Sequence, residues 1–430
     1  MKLNPADCSF GSSAHRPWLA AGALLACLCP ALAPALHGAA PPYEDALGPG
    51  DSPESVPATL EADKPKDGTF DARWFEQPLD WASRQTDALE DKTGLRFGVA
   101  YTMVFQQATE GDGDLYGGSG DLDLMASWTF LGRGSENTGR LVAGTEYRHR
   151  IGSQPASALF RETGALLSHT GGFNDRYWAV RDVYWAQRLF DGQGRFVTGG
   201  GAASELPAPH SPQGINGFFS NRHFSANNTA PYPDFTMMTG VSVRPRGDLF
   251  YATVGAANAY GNATHNNLDT LEEGEFFGEL EVGITPEIPG LGRSRFALAP
   301  WYMPARTLDG TPEDWGLAFI AEQRFGDHLR AFARYGWADE ALTNIRHSFQ
   351  VGGGWDRPFG TRNDLLGVAF GWADGKAETS RDEKVVEFFY RWQVTRHSQL
   401  TGGFQAVFDP GNSSTRDSLG VVTGRWRVAF

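Results

Sequence analysis

Between Gly94 and Phe430 the chain runs as short segments that place apolar residues on one parity and polar residues on the other. In Val385 to Val394, Val386, Phe388, Tyr390, Trp392 and Val394 share one parity, against Glu387, Arg391 and Gln393 on the other. The last segment repeats the pattern, with Val422, Trp426, Val428 and Phe430 opposed to Thr423, Arg425 and Arg427. Successive side chains of a strand point to opposite faces, so each segment separates an apolar medium from a wet one. Periodicity alone does not say whether the apolar parity meets a sandwich core or lipid. Segments bounded by turn residues fall at 94–105, 121–130, 139–147, 177–189, 194–202, 235–244, 249–257 and 275–284, then at 294–302, 315–325, 329–337, 348–355, 364–373, 385–394, 399–408 and 419–430. That makes about sixteen, an even number.

The connections discriminate. Read from the C-terminus, long loops (409–418, 374–384, 338–347, 303–314) alternate with short or medium ones (395–398, 356–363, 326–328). Tight turns at 245–248 and 191–193 fall on one side of the array, and long polar loops at 203–234 and 258–274 on the other. Short turns on one side and long loops on the other are the habit of outer-membrane barrels, and a sandwich has no reason to produce them. The predicted fold is all-β: a transmembrane antiparallel β-barrel of about sixteen strands over 94–430, with a short N-terminal helix and both termini in the periplasm. Aromatic residues near segment ends, among them Trp128, Phe130, Trp301, Tyr302, Trp337, Trp355, Trp372 and Trp392, suit the girdles of such a barrel.

Upstream of the barrel the pattern changes. Lys2 and Arg16 precede an Ala- and Leu-rich run from Trp18 to Leu36, broken by Pro30 and Pro34 and followed by small residues, which predicts a signal peptide over 1–40. Residues 41–71 are rich in Pro, Asp, Glu and Gly and predict a disordered linker. Within 72–93, Pro78 to Lys92 predicts a short periplasmic helix that stops at Gly94.

Composition narrows the chemistry. The three cysteines, Cys8, Cys27 and Cys29, all lie in the predicted presequence, which excludes disulfides and thiolate metal sites from the exported chain. A net charge of -14 argues against nucleic acid as a partner. The mean hydropathy of -0.37, beside 53 Gly and 13% aromatic residues, fits strands that are half polar because they line a wet interior. Gly117 to Asp123 matches a calcium β-roll repeat only once and out of register, the histidines lack zinc spacing, and no G-x-S-x-G elbow is present. No metal, cofactor or catalytic residue is therefore assigned, and no enzyme is expected. The chemistry rests on charges of the polar parity: Glu279 and Glu281, Glu322 and Arg324, Arg330 and Arg334, Glu387 and Arg391, and Arg425 and Arg427. Charges of both signs projecting into one lumen order water and favour dipolar, hydroxyl-rich solutes. The same pairs also suit a brace across the wall.

Three blocks carry a family likeness: Asp314 to Asp339, Phe349 to Asp374 with its Arg362-Asn363-Asp364-Leu365-Leu366-Gly367, and Glu387 to Pro410. Together they resemble the OprB-type carbohydrate-selective porins. The resemblance implies a passive outer-membrane channel for small carbohydrates in a Gram-negative bacterium, monomeric or homo-oligomeric, narrowed by inward loops. It implies as partners the sugars, the membrane lipid and the barrel assembly machinery, and by motif position it points to Arg334, Glu387, Arg391 and Gln405 as pore-lining. Glu279, Glu281, Glu322, Arg425 and Arg427 join them by parity. A nonselective porin and a barrel-embedded hydrolase are the alternatives. The sequence departs from the family's pattern at Thr401-Gly402-Gly403 and in its added N-terminal segment.

Overall fold

The alternating segments all fold as strands of one closed sheet. In the computed structural model, residues 52–206, 214–245, 249–265 and 267–430 are described, so the predicted signal peptide lies outside the described residues. The sheet has 17 strands, one of them only 2 residues long, which leaves sixteen that build the wall. The first half comprises β1 (Leu95–Ala108), β2 (Tyr116–Leu131), β3 (Gly139–Arg150), β4 (Tyr177–Leu189), β5 (Gly194–Gly201), β6 (Thr236–Val243), β7 (Phe250–Asn258) and β8 (Phe276–Ile284). The two-residue β9 (Glu287–Ile288) extends one turn, followed by β10 (Gly292–Met303), β11 (Asp314–Phe325), β12 (Leu329–Ala338) and β13 (Ile345–Asp356). The wall finishes with β14 (Leu365–Gly375), β15 (Glu383–Thr395), β16 (Ser398–Phe408) and β17 (Ser418–Ala429). Every long strand pairs antiparallel with its chain neighbour, and β1 pairs with both β2 and β17, which closes the barrel. Closure leaves no unpaired sheet edge, the condition for strands to cross hydrocarbon.

Parity sorts the two faces as expected. On the outer face Val368, Phe388, Phe404 and Val422 sit directly opposite one another across four strands, and all four are exposed. One residue along the same strands, Ala369, Glu387, Gln405 and Val421 form the matching inner row and are buried. A belt of exposed Phe and Val of this extent has no place in water and is satisfied by lipid. Among the described residues no helix is long and apolar enough to cross a membrane.

Among the described residues three α-helices accompany the wall: α1 (Val56–Ala62), α2 (Arg73–Thr93) and α3 (Leu159–Thr163). The predicted short helix is α2, five residues longer at its start; it ends at Gly94, whose φ of 79° is the left-handed cap that glycine tolerates. The segment read as a disordered linker is ordered in its described part. There α1 buries Val56 and Leu60 against β1, β2 and β3, with Leu60 meeting the wall where Gly98 has no side chain. Two apolar residues suffice here because the barrel surrounds the helix, whereas composition counts only the segment itself. The inner face also breaks the polar rule: Val385, Phe389, Leu419 and Val421 point inward and are buried with Phe219, Phe224 and Leu159 of the inward loops.

Candidate functional site

The long loop between β5 and β6 folds into the lumen and is tied to the inner face of β15, β16 and β17. Glu387 accepts hydrogen bonds from the backbone N–H groups of Ser220 (2.7 Å) and Asn221 (2.9 Å). The Asn221 side chain donates to Gln405 Oε1 at 2.9 Å, while Gln405 Nε2 donates to the carbonyl of His169 in the β3–β4 loop at 2.8 Å. Arg425 donates to the carbonyls of Ile215 (2.6 Å) and Phe218 (2.9 Å), and Arg391 to that of Gly217 (2.9 Å). An apolar contact adds to the polar ones, with the rings of Phe219 and Phe389 edge to face at 5.0 Å. Nearer the long-loop side, Glu383 meets His223 Nε2 at 3.1 Å and accepts from the backbone of Leu167 and Gly411, joining three loops at one carboxylate. Burial pushes His169 down to about 4, so it is neutral at neutral pH where it meets Thr163 Oγ1 at 2.8 Å.

The facing wall carries ion pairs. Arg427 holds Asp63, just past α1, through Nη2 (2.6 Å) and Nε (3.0 Å), and donates to Thr102 at 2.6 Å. Arg148 lies between Asp121 (3.1 Å) and Glu146 (2.8 Å), and Arg176 also pairs with Glu146. Asp121, Asp123 and Glu146 each bring one oxygen within 4.8 Å of the others, a spacing open to a cation. The guanidinium groups of Arg148, Arg176 and Arg427 neutralise them instead, so the cluster is an ion-pair network.

A third patch joins β7, β8, β10, β11 and β12. Arg295 donates to Glu281 (2.7 Å) and Tyr251 (2.8 Å) and faces Glu322 at 3.5 Å. Tyr232, from the inward loop, donates to Glu279 at 3.3 Å and packs its ring on Phe277 at 5.4 Å. Arg334 Nε and Nη1, Glu279 Oε2 and Trp301 Nε1 have no protein hydrogen-bond partner. Buried polar atoms are seldom left so, and these sit beside the rings of Phe277 and Trp301, stacked at 6.5 Å.

All nine residues singled out from the sequence lie on the inward parity, but their surroundings differ. Glu387, Arg391, Gln405 and Arg425 hold the inward loops, Arg427 holds the segment after α1, and Glu281 and Glu322 brace Arg295. Arg334 and Glu279 keep hydrogen-bonding atoms without protein partners. Sequence reading missed Arg295 and Tyr251, although parity along β10 and β7 was signal enough. It also missed Asp63 and Tyr232, which reach the lumen from irregular segments that carry no periodicity.

Residues 251–430 match the sequence model of the family described as "Carbohydrate-selective porin, OprB family". Among solved structures, the high-pH form of OprB from Pseudomonas putida has a TM-score of 0.65 at 16% identity, covering 82% of this chain and 97% of that one. The low-pH form of the same protein gives 0.52 at 16% identity, covering 85% and 99%. At that identity the likeness establishes the porin fold. No curated protein matches the chain.

Proposed function

We propose, from a porin-fold barrel whose residues 251–430 match the OprB family, that this chain is a passive channel for small carbohydrates in the outer membrane of a Gram-negative bacterium. The observation that carries the reading is the β5–β6 loop, which Glu387, Gln405, Arg391 and Arg425 hold inside a lumen walled by polar and charged groups. A sugar exchanges water for these groups on entry and returns to water on leaving, so passage needs neither energy nor cofactor. Residues 1–40 act as an export signal, and the short-turn end, with both chain termini, faces the periplasm. Glu387, Arg391, Gln405 and Arg425 set the aperture by fixing the loop.

Proteoliposome swelling tests this. Sugars should enter faster than amino acids of equal size, and sugar should reduce single-channel current in a concentration-dependent way. Equal rates for size-matched solutes, with no block of current, would replace the reading with a nonselective porin.

A further inference from the structure

Helix α2 is amphipathic in an unusual sense. Glu76, Asp80, Ser83, Asp87 and Glu90 recur at intervals of four and three and form one polar stripe, and that stripe faces the barrel. Glu76 accepts from the backbone N–H of Arg396 (2.7 Å), Asp80 meets Arg396 and His397, and Asp87 and Glu90 accept from Arg96 (3.1 and 2.7 Å). The buried residues of the helix are Glu76, Ser83 and Thr86, all polar. The opposite stripe, Trp74, Pro78, Trp81, Gln85, Ala88 and Lys92, is exposed throughout, with Trp74 at 85% and Trp81 at 60%. A surface helix in water does the reverse, turning its apolar stripe inward.

Both ends of the helix segment are clipped to the lipid-facing side of the wall. Ahead of it, Thr69 Oγ1 accepts from Trp392 Nε1 at 2.7 Å, and the exposed Phe70 ring meets Trp392 at 5.4 Å. At its other end, the carbonyl of Thr93 accepts from Trp128 Nε1 at 3.2 Å. Trp392 and Trp128 are on the outward parity at the short-turn ends of β15 and β2, where an aromatic girdle marks the lipid boundary.

We infer that α2 is an in-plane membrane anchor whose Trp74 and Trp81 lie in the headgroup region of the periplasmic leaflet, continuing the girdle beyond the barrel wall. Indole rings favour that layer, and the exposed Arg84 and Lys92 are placed to meet phospholipid phosphates. The inference rests on the outer-membrane reading of the barrel.

Because the chain has no cysteine beyond Cys29, single cysteines can be introduced into the exported protein and labelled with an environment-sensitive fluorophore. Labels go at Trp81→Cys and, on the same stripe, Gln85→Cys; Phe388→Cys in the belt and Leu308→Cys in an exposed loop are the references. In bilayers containing phospholipid brominated near the headgroup, labels at 81 and 85 should be blue-shifted and lose emission; the label at 388 should be quenched by phospholipid brominated deep in its acyl chains, and the label at 308 only by aqueous iodide. Iodide quenching at 81 and 85, with lipid quenching intact at 388, would overturn the anchor but not the barrel reading. Cross-linking of position 81 between two copies would overturn it in favour of a protein contact. Absence of lipid quenching at 388 would overturn the membrane reading itself, and the anchor with it.

Discussion

Glu387 and Phe388 are neighbours in β15 with opposite surroundings, one buried against an inward loop and the other 44% exposed in the apolar belt. Phe388→Arg places a charge in hydrocarbon, which costs about 2–4 kcal/mol at mid-membrane, so the yield of heat-modifiable barrel on electrophoresis should fall sharply. Glu387→Ala should behave differently, because it leaves the N–H groups of Ser220 and Asn221 unpaired at about 1–3 kcal/mol each while touching no lipid. The barrel should still assemble. Hydrogen exchange should rise around 217–224, and single-channel current should become larger and noisier. A barrel that fails to assemble would show that Glu387 supports the wall rather than the loop. Parity along β15 and β17 was enough to set the direction of Glu387, Arg391 and Arg425. It could not give their partners, because Ile215, Gly217, Phe218 and Ser220 sit in a loop whose return into the lumen depends on tertiary contacts.

Among the elements, strands were the most legible, since a wall between lipid and a polar interior forces alternation on each of them. Where the inner face is covered by a loop, as at Phe389 and Val421, alternation lapses, and the strand is recognised only by its other parity. Helix α1 was not legible, because its burial is supplied by the wall around it and not by its own composition. For α2 the caps and spacing were readable but its lodging was not, since Arg396 and His397 are remote in sequence. The lodging has a pH dependence. Partial burial pushes the Asp80 carboxyl up, but the hydrogen bond from His397 and the charge of Arg396 outweigh it and hold the group below its usual range. A carboxylate depressed in the folded state stabilises above its ordinary pKa of about 4 and loses that contribution as pH falls through its folded value. Hydrogen exchange over 73–93, corrected for the intrinsic pH dependence of amide exchange, should therefore rise on acidification below about 4. Asp80→Asn should flatten that low-pH rise.

For the whole molecule, closure depends on the meeting of the first and last strands. Phe430 N–H donates to Val99 at 3.1 Å and its carbonyl accepts from Val99 N–H at 3.2 Å, extending the seam to the last residue. Deleting Phe430 removes that pair and should lower the fraction of closed barrel, read as heat-modifiable protein in membrane fractions, with export unchanged; wild-type levels would show that the seam holds without it. The ion pair of Asp63 with Arg427 joins residues 364 apart in sequence, and Arg427 belongs to β17. Such a contact has the greatest loop-closure entropy to overcome and cannot form until the last strand is in place. Asp63 is then a late folding reporter: an open or misregistered barrel leaves the 52–71 segment undocked and accessible to protease, and only a completed one draws it inside.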